Sequence, residues 1–445
     1  MTSDLLSLAE DAVGRALKAG ATAADALALD RRGIEVSVRE GNIEKLEQAE
    51  AREVGLRVFI GQSSATIAGS VLDAGGLERL AEQAVMMAKV APPDPYSGLA
   101  DERQYARDFP DLDLAPASEI SADKLKADAL AMEESALAVR GVTKSGGADA
   151  SFGDRAIALV TSLGFAGGYR RTSCSLSVSA IAGEGTEMER DYDFSAALAP
   201  RDLLSPQEIG RSAGDRAVKR LKPRKIKSQS LPVVYDPRVA ASLVGYLIAG
   251  ALGSSVAKGT SFLKDKLGQQ LFRKGITILD DPLRRRGLAS RPFDAEGIAS
   301  RPFAVIDDGV LTGWLLDLHS ARQLKLAPNG YAARGLSGPP SPSSTNTHLA
   351  AGASSPDELI KGVGHGLYVT EFIGSGVNLI TGDYSRGASG FWIENGELAY
   401  PVSEITIAGN LNEMFRNLTP ANDLEFRRST NAPTCLIEAM TVGGI

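Results

Sequence analysis

Histidine and cysteine are scarce in this sequence, three and two respectively in 445 residues. The thiols Cys174 and Cys435 cannot build a disulfide framework or a multi-cysteine zinc or iron–sulfur site, and such sparing use fits a reducing compartment. The histidines, His319, His348 and His365, stand far apart, none in a zincin spacing with a glutamate beside it, and each is read as structural by default. Signatures for phosphate and acyl chemistry are missing too. The segment GALGSSVAKGTS, Gly250 to Ser261, lacks the GxxxxGK[ST] spacing that wraps phosphates. The GxSxG match at Gly210 to Gly214 falls inside a predicted helix, not on a strand-to-helix elbow, and is a chance match.

Positive charge is not in excess: 48 Lys and Arg face 55 Asp and Glu, a net of −7, which argues against a dedicated nucleic-acid binder. The basic runs Lys219 to Lys227 and Arg284 to Arg286 are isolated and suit a solvated helix end or an acidic partner surface. No apolar run has the length of a membrane span; the longest, Val239 to Leu252, is about 14 residues against roughly 20 and reads as a buried helix. The opening MTSDLLSLAEDAVGRALKAG shows no basic leader before an apolar core, so a cytoplasmic protein is expected. At 43% hydrophobic and 23% charged residues, a globular chain with two or three cores remains.

Periodicity divides that chain in two. Leu5, Leu6, Ala9, Ala12, Val13, Ala16 and Leu17 make one helical stripe, and Leu77, Leu80, Ala81, Ala84, Val85 and Ala88 make another, which stops at the Pro92–Pro95 cluster. Between them, alternation at Ile34, Val36 and Val38, then Val54 to Ile60 and Ala65 to Ser70, with turns at Gly41-Asn42 and Gly61, predicts an antiparallel meander. Residues from Pro92 to about Ser121 read as a long surface connection. A third helix is predicted over Asp123 to Val139, strands over Ala156 to Thr161 and Ser173 to Ala182, and a helix from the capping box Ser205-Pro206-Gln207-Glu208. Hairpins are expected at Asp308-Gly309 and Asn395-Gly396, with Trp314 and Trp392 packing in their strands. The fold class expected is α+β: an N-terminal α/β two-layer domain with antiparallel strands over residues 1–224, then a β-rich, barrel-like antiparallel domain over 225–445.

The stretch GDYSRGASGFWIENGELAYPVSEITIAGNL, Gly382 to Leu411, with NDLEFR from Asn422 and PTCLIEAMTVGG from Pro433 after it, resembles the C-terminal signature of the TldD/PmbA family. PPDPYSGLAD from Pro92, ERDYDFS from Glu189, SRPFDAEG from Ser290 and LLDLHSARQL from Leu315 extend the resemblance over nearly the whole length, and place it with the PmbA (TldE) branch. In TldD-type members, the resemblance implies, a helix carrying HExxxH and a cysteine from a C-terminal loop hold zinc. Laid on LVGYLIAGAL, that pattern puts Gly245 and Tyr246 at the first histidine and the glutamate, and Gly250 at the second histidine. Glycine has no donor atom, and a phenol titrating near 10 is a poor base for metal-bound water. The cysteine's loop would fall near Arg427 to Ala432, which holds no cysteine.

The resemblance therefore implies a non-catalytic PmbA/TldE-type subunit of a TldD/PmbA heterodimeric zinc metallopeptidase that degrades or trims unfolded peptides. No cofactor is expected in this chain; zinc is expected in the TldD-like partner, and a homodimer when that partner is absent. Strand edges of the β-rich half would bind extended backbone with little side-chain readout. Asn346, Ser385 and Arg386 are candidates to line such a groove, with turn stabilisation as the alternative role. Two other readings stay open. One is a stand-alone hydrolase with an unfamiliar site built from His319, His348 or His365. The other is a protein-interaction scaffold of the gyrase-modulator type.

Overall fold

A computed structural model describes residues 2–117, 120–374 and 376–444. Its first half is one long antiparallel sheet. The strands β1 (Ala23–Arg39), β2 (Asn42–Ile60), β3 (Ser63–Gly69), β4 (Val142–Thr161), β5 (Ala166–Ala182) and β6 (Glu189–Ala197) lie in the order β3-β2-β1-β4-β5-β6. The meander is as the alternation predicts, but β2 is much longer than read, because its outer half from Asn42 to Glu50 is exposed on both faces and carries no apolar period. The β1–β2 turn is Glu40-Gly41, both with positive φ, one residue earlier than expected. Its two N–H groups donate to the buried Glu133 carboxylate at 2.9 and 2.7 Å.

Glu133 belongs to α3 (Ala122–Leu137), one of four helices on this sheet with α1 (Thr2–Lys18), α2 (Ala74–Val90) and α4 (Pro206–Lys219). The capping box Ser205/Glu208 starts α4, and the GxSxG match lies inside that helix. Ala24, Ala26 and Ala28 pack under α1 and α2, whereas Val36 and Val38, in the same alternation, pack under α3 and α4. Both helix pairs therefore cover one face. The other face, through Leu27 and Leu159, meets Phe293, Ile298 and Leu318 of the second half.

The connection after Pro92 is a surface one only in part. Leu99, Ala100, Tyr105, Ala106, Leu112 and Leu114 are buried, and Ala106 N–H donates to Gly297 O at 2.8 Å. Its apolar residues fit an irregular seam between the two halves, so they carry no period; residues 118 and 119 of that stretch lie outside the described residues. Strand β6 escaped the alternation rule for a different reason. Its buried face consists of Asp191, Asp193, Ser195 and Ala197, which makes a polar interior edge.

In the second half, β7 (Gln229–Tyr235), β8 (Gly366–Ile373), β9 (Asp383–Glu394), β10 (Glu397–Asn410) and β11 (Cys435–Gly443) form a closed barrel, β10 pairing with both β9 and β11. The barrel is antiparallel as expected save for one pair, β7 with β8, which runs parallel. A parallel pair needs a crossover, and here it runs through the helix α5 (Pro237–Ala251) and a small sheet that includes the hairpin Phe303–Asp307 and Val310–Leu311. Both expected hairpin turns, Asp308-Gly309 and Asn395-Gly396, have positive φ. Trp392 stacks on Tyr400 within its hairpin, but Trp314 is buried beyond the end of its short strand. Among the described residues no helix is long and apolar enough to cross a membrane.

Candidate functional site

Helix α5 is the element onto which the resemblance lays the HExxxH pattern, so its surroundings bear on that expectation. Asp236 caps it, accepting from Arg238 N–H at 2.9 Å, with Pro237 in the first turn. Val239, Leu243, Leu247 and Ile248 join the barrel core. Gly245 is half-buried, and a Cβ there would meet no atom within 4 Å. Tyr246 Oη accepts from the Arg386 guanidinium, which lies over the Phe372 ring, and the Tyr246 ring stands edge-on to Tyr384 at 6.0 Å. At Gly250 a Cβ would lie 2.7 Å from Phe262 and 3.0 Å from Leu263, and its carbonyl accepts from Ser261 Oγ at 2.6 Å. Apolar side chains therefore fill the space a second ligand would need.

The stretch from Arg427 to Ala432 lies near the start of α5 around a cavity of about 210 Å³. Asn431 fixes it: its Oδ1 accepts from the N–H groups of Arg427 and Arg428, both at 3.0 Å, and its Nδ2 donates to Arg428 O at 2.7 Å. Arg427 pairs with Asp193 at 2.9 Å and Arg238 with Asp191 at 2.7 Å, which places the charge of β6's interior edge opposite α5. Among the described residues no group of three or more His, Cys, Asp or Glu gathers as a metal would require. The residues at these positions do not fit a zinc ion.

Cys435 is fully buried with its Sγ 3.3 Å from Pro433 O, and burial pushes its thiol well up. Burial likewise raises Cys174, to about 11. Neither supplies a thiolate at neutral pH. The histidines share no partner. His319, at the start of the helix Leu318–Leu324, sits 2.9 Å from Asp94 Oδ2 and edge-on to Tyr96, and no side-chain hydroxyl or thiol among the described residues hydrogen-bonds it. His348 packs against Phe426; burial, then the charge of Arg284, pushes its pKa down. His365 is exposed between Gly364 and Gly366.

Of the three groove candidates, Asn346 lines the groove of Arg284 and Arg428, and Ser385 and Arg386 do not. Asn346 is buried and clamps a turn, donating to Asp281 O at 2.7 Å and Ser290 Oγ at 2.8 Å while accepting from Ala289 N–H at 2.9 Å. Ser385 is exposed on β9, its N–H bonded to Gly376 O at 2.7 Å, and its neighbour Arg386 turns to Tyr246.

Two charged constellations were not legible as sites. In one, Asp25 of β1 pairs with Arg57 of β2 and with Arg334 from the second half, all buried. Burial alone would raise the Asp25 carboxyl, but the two guanidinium groups hold it below its ordinary value. Nearby, burial and the charge of Asp294 push Glu296 up to about 8 against the opposing pull of Arg57. Gly55 admits the second half here, since a Cβ would lie 2.2 Å from Leu336 O. The signal was a charge, Asp25, standing in the apolar run AADALALD. In the other, Arg284 and Arg428 meet across a groove, one from the basic run Arg284 to Arg286 and one from the loop after Phe426.

Sequence models of the PmbA/TldA metallopeptidase match the chain in three parts: domain 1 over residues 24–88, the central domain over 115–221 and the C-terminal domain over 228–444. The metalloprotease PmbA of Escherichia coli O157:H7 is 38% identical over 93% of this chain and 90% of its own length. A PmbA homologue of Haemophilus influenzae is 35% identical over 97% and 94%. Among solved structures, a Bacteroides thetaiotaomicron protein described as a candidate modulator of DNA gyrase superposes with a TM-score of 0.91 at 29% identity, covering 99% of this chain and 98% of that one. TldE of Thermococcus kodakarensis, at 20% identity, shares the fold with a TM-score of 0.86, covering 98% and 100%. The chain belongs to the PmbA/TldD metallopeptidase family, on its PmbA branch.

Proposed function

We propose that this chain is the non-catalytic subunit of a two-chain zinc peptidase acting on unfolded peptides, its TldD-type partner carrying the metal. One observation carries the reading: the helix that would hold the metal has glycine, tyrosine and glycine at the ligand and base positions, and Phe262 and Leu263 occupy the space beside Gly250. A zinc hydrolase needs three protein ligands and a group to take a proton from the bound water, and none of the four is supplied here. The contribution of this half is to enclose and orient peptide. Without the partner the chain pairs with a second copy about a two-fold axis, as homo-oligomers of closed symmetry do.

The test is reconstitution. The purified chain alone is expected to hold no stoichiometric zinc by elemental analysis and to cleave no unfolded peptide; mixed with a TldD-type chain, it is expected to form a complex whose chelator-sensitive cleavage exceeds that of the partner alone. Chelator-sensitive cleavage by the lone chain refutes the proposal. The description of the Bacteroides relative favours a scaffold as the second reading. Binding to gyrase with no gain in peptide cleavage on mixing selects that one.

A further inference from the structure

We propose that the groove between the turn at Arg284–Arg286 and Arg428 binds the carboxylates of an acidic, extended peptide segment. This names the substrate class of the subunit reading and rests on it. The groove encloses about 300 Å³ between Arg284, Arg285, Arg286, Arg428, Asp202 and Phe426. Two of its arginines are already neutralised: Arg285 and Arg286 pair with Asp113 at 3.4 and 2.6 Å, and Arg286 also reaches Asp202 at 3.3 Å. The other two have no carboxylate partner among the described residues. Arg284 lies over the Phe426 ring, its Cζ 3.4 Å from the centroid. Arg428 lies over Phe194 at 4.5 Å, its one polar side-chain contact a 3.5 Å approach to Tyr192 Oη.

Stacking uses the face of a guanidinium and leaves its N–H edge, the part that grips a carboxylate in two parallel bonds. Held by aromatic rings, both edges are oriented before any ligand arrives, which lowers the ordering cost of binding. Four arginines against Asp113 and Asp202 leave an excess of positive charge on a chain whose net charge is −7. A local field of that sign draws in anions. A nucleic-acid strand suits the groove poorly, because the rings that would stack on its bases already carry arginines: Phe194 holds Arg427 and Arg428, and Phe426 holds Arg284. An extended peptide suits it well. Arg428 also lines the cavity beside the start of α5, so a chain lying over the arginines has a continuous path toward Asn431.

The test measures fluorescence anisotropy of the full-length chain with a labelled peptide carrying glutamate at alternate positions, and with its glutamine counterpart. The acidic peptide is expected to bind about tenfold more tightly, as two partly exposed charge pairs allow. Raising the salt concentration should shrink that margin, and the double variant Arg284→Gln/Arg428→Gln should abolish it, while its urea midpoint stays near the parent's and shows that it folds. Equal binding of the two peptides, or a margin that survives in the double variant, overturns the proposal. Binding of inorganic phosphate or an oligothymidylate without binding of the acidic peptide overturns it as well. The two readings fail separately. A preference in the lone chain with no added cleavage on mixing removes the subunit reading and leaves the groove; enhanced cleavage without charge preference does the reverse.

Discussion

Two glycines five positions apart on one helix should respond to the same substitution with different stabilities. At Gly245 a Cβ meets nothing within 4 Å, so Gly245→Ala removes backbone entropy from the unfolded chain and stabilises by about 0.5–1 kcal/mol. At Gly250 the same methyl lies 2.7 Å from the Phe262 ring and 3.0 Å from Leu263, both buried and unable to swing into solvent. Forcing an extra carbon into a packed core costs about 1–3 kcal/mol. Comparing the two variants nearly cancels the helix-propensity gain, which leaves Gly250→Ala below Gly245→Ala by about 1–3 kcal/mol. Urea unfolding reads this as a shift in midpoint at unchanged slope. Metal binding gives a second readout: a Gly245→His/Tyr246→Glu/Gly250→His variant is expected to lose stability and still hold no stoichiometric zinc, because residues 427–432 supply no cysteine. If Gly250→Ala matches Gly245→Ala, or the triple variant binds zinc one to one, the claim that packing has closed this position is wrong.

Buried titratable groups set three further outcomes. Asp25→Asn leaves Arg57 and Arg334 buried without their shared carboxylate and should cost about 3–5 kcal/mol in urea unfolding near pH 7; because the Asp25 pKa is lowered on folding, the cost should be fully present above the unfolded value near 3.8 and fade as pH falls through the folded one. Glu296 has the opposite sign: the native carboxyl keeps its proton to about pH 8 while the unfolded chain releases it near 4.5, so parental stability is lost as pH rises through that window. Gln can still accept from Leu318 N–H, so Glu296→Gln should match the parent near pH 4.5 and exceed it in thermal unfolding at pH 8; no gain at pH 8 would refute the assignment. Finally, the buried Cys174 and Cys435 should react with a thiol reagent slowly in the native chain and both rapidly in guanidinium, and a fast native equivalent would contradict their burial.

Legibility in the sequence followed the physics of each element. The stripes of α1 and α2, the capping box that opens α4 and both tight turns were readable because one apolar face, one cap or one pair of positive-φ residues suffices to write them. Strand β6 was not, because the rule looks for apolar alternation and the buried residues there are Asp191, Asp193 and Ser195. The parallel pairing of β7 and β8 depends on strands far apart in the chain, which no local pattern encodes. At the candidate site, the resemblance lays the metal-binding pattern on Gly245, Tyr246 and Gly250, whereas the packing of Phe262 and Leu263 beside Gly250 could be read only from the fold. Asn346, Ser385 and Arg386 stand out together in the sequence as polar loop residues, yet their partners lie in separate places. Arg284 and Arg428 show the converse: they are distant in sequence, and only the fold places them on one groove.

These placements share an energetic logic. A charge inside a barrel loses hydration and needs partners there; the half-buried Arg386 guanidinium donates to the Tyr246 hydroxyl and lies over the Phe372 ring, while its Nε finds no partner among the described residues. A charge at the rim keeps part of its hydration, so it can stay unpaired until a ligand arrives. Beside Gly250 the interior is packed by Phe262 and Leu263, which leaves no room for an added side chain. A variant that reopened the space at Gly250, such as Leu263→Ala, should destabilise the fold by about 2–5 kcal/mol through the cavity it leaves, yet alter acidic-peptide affinity little.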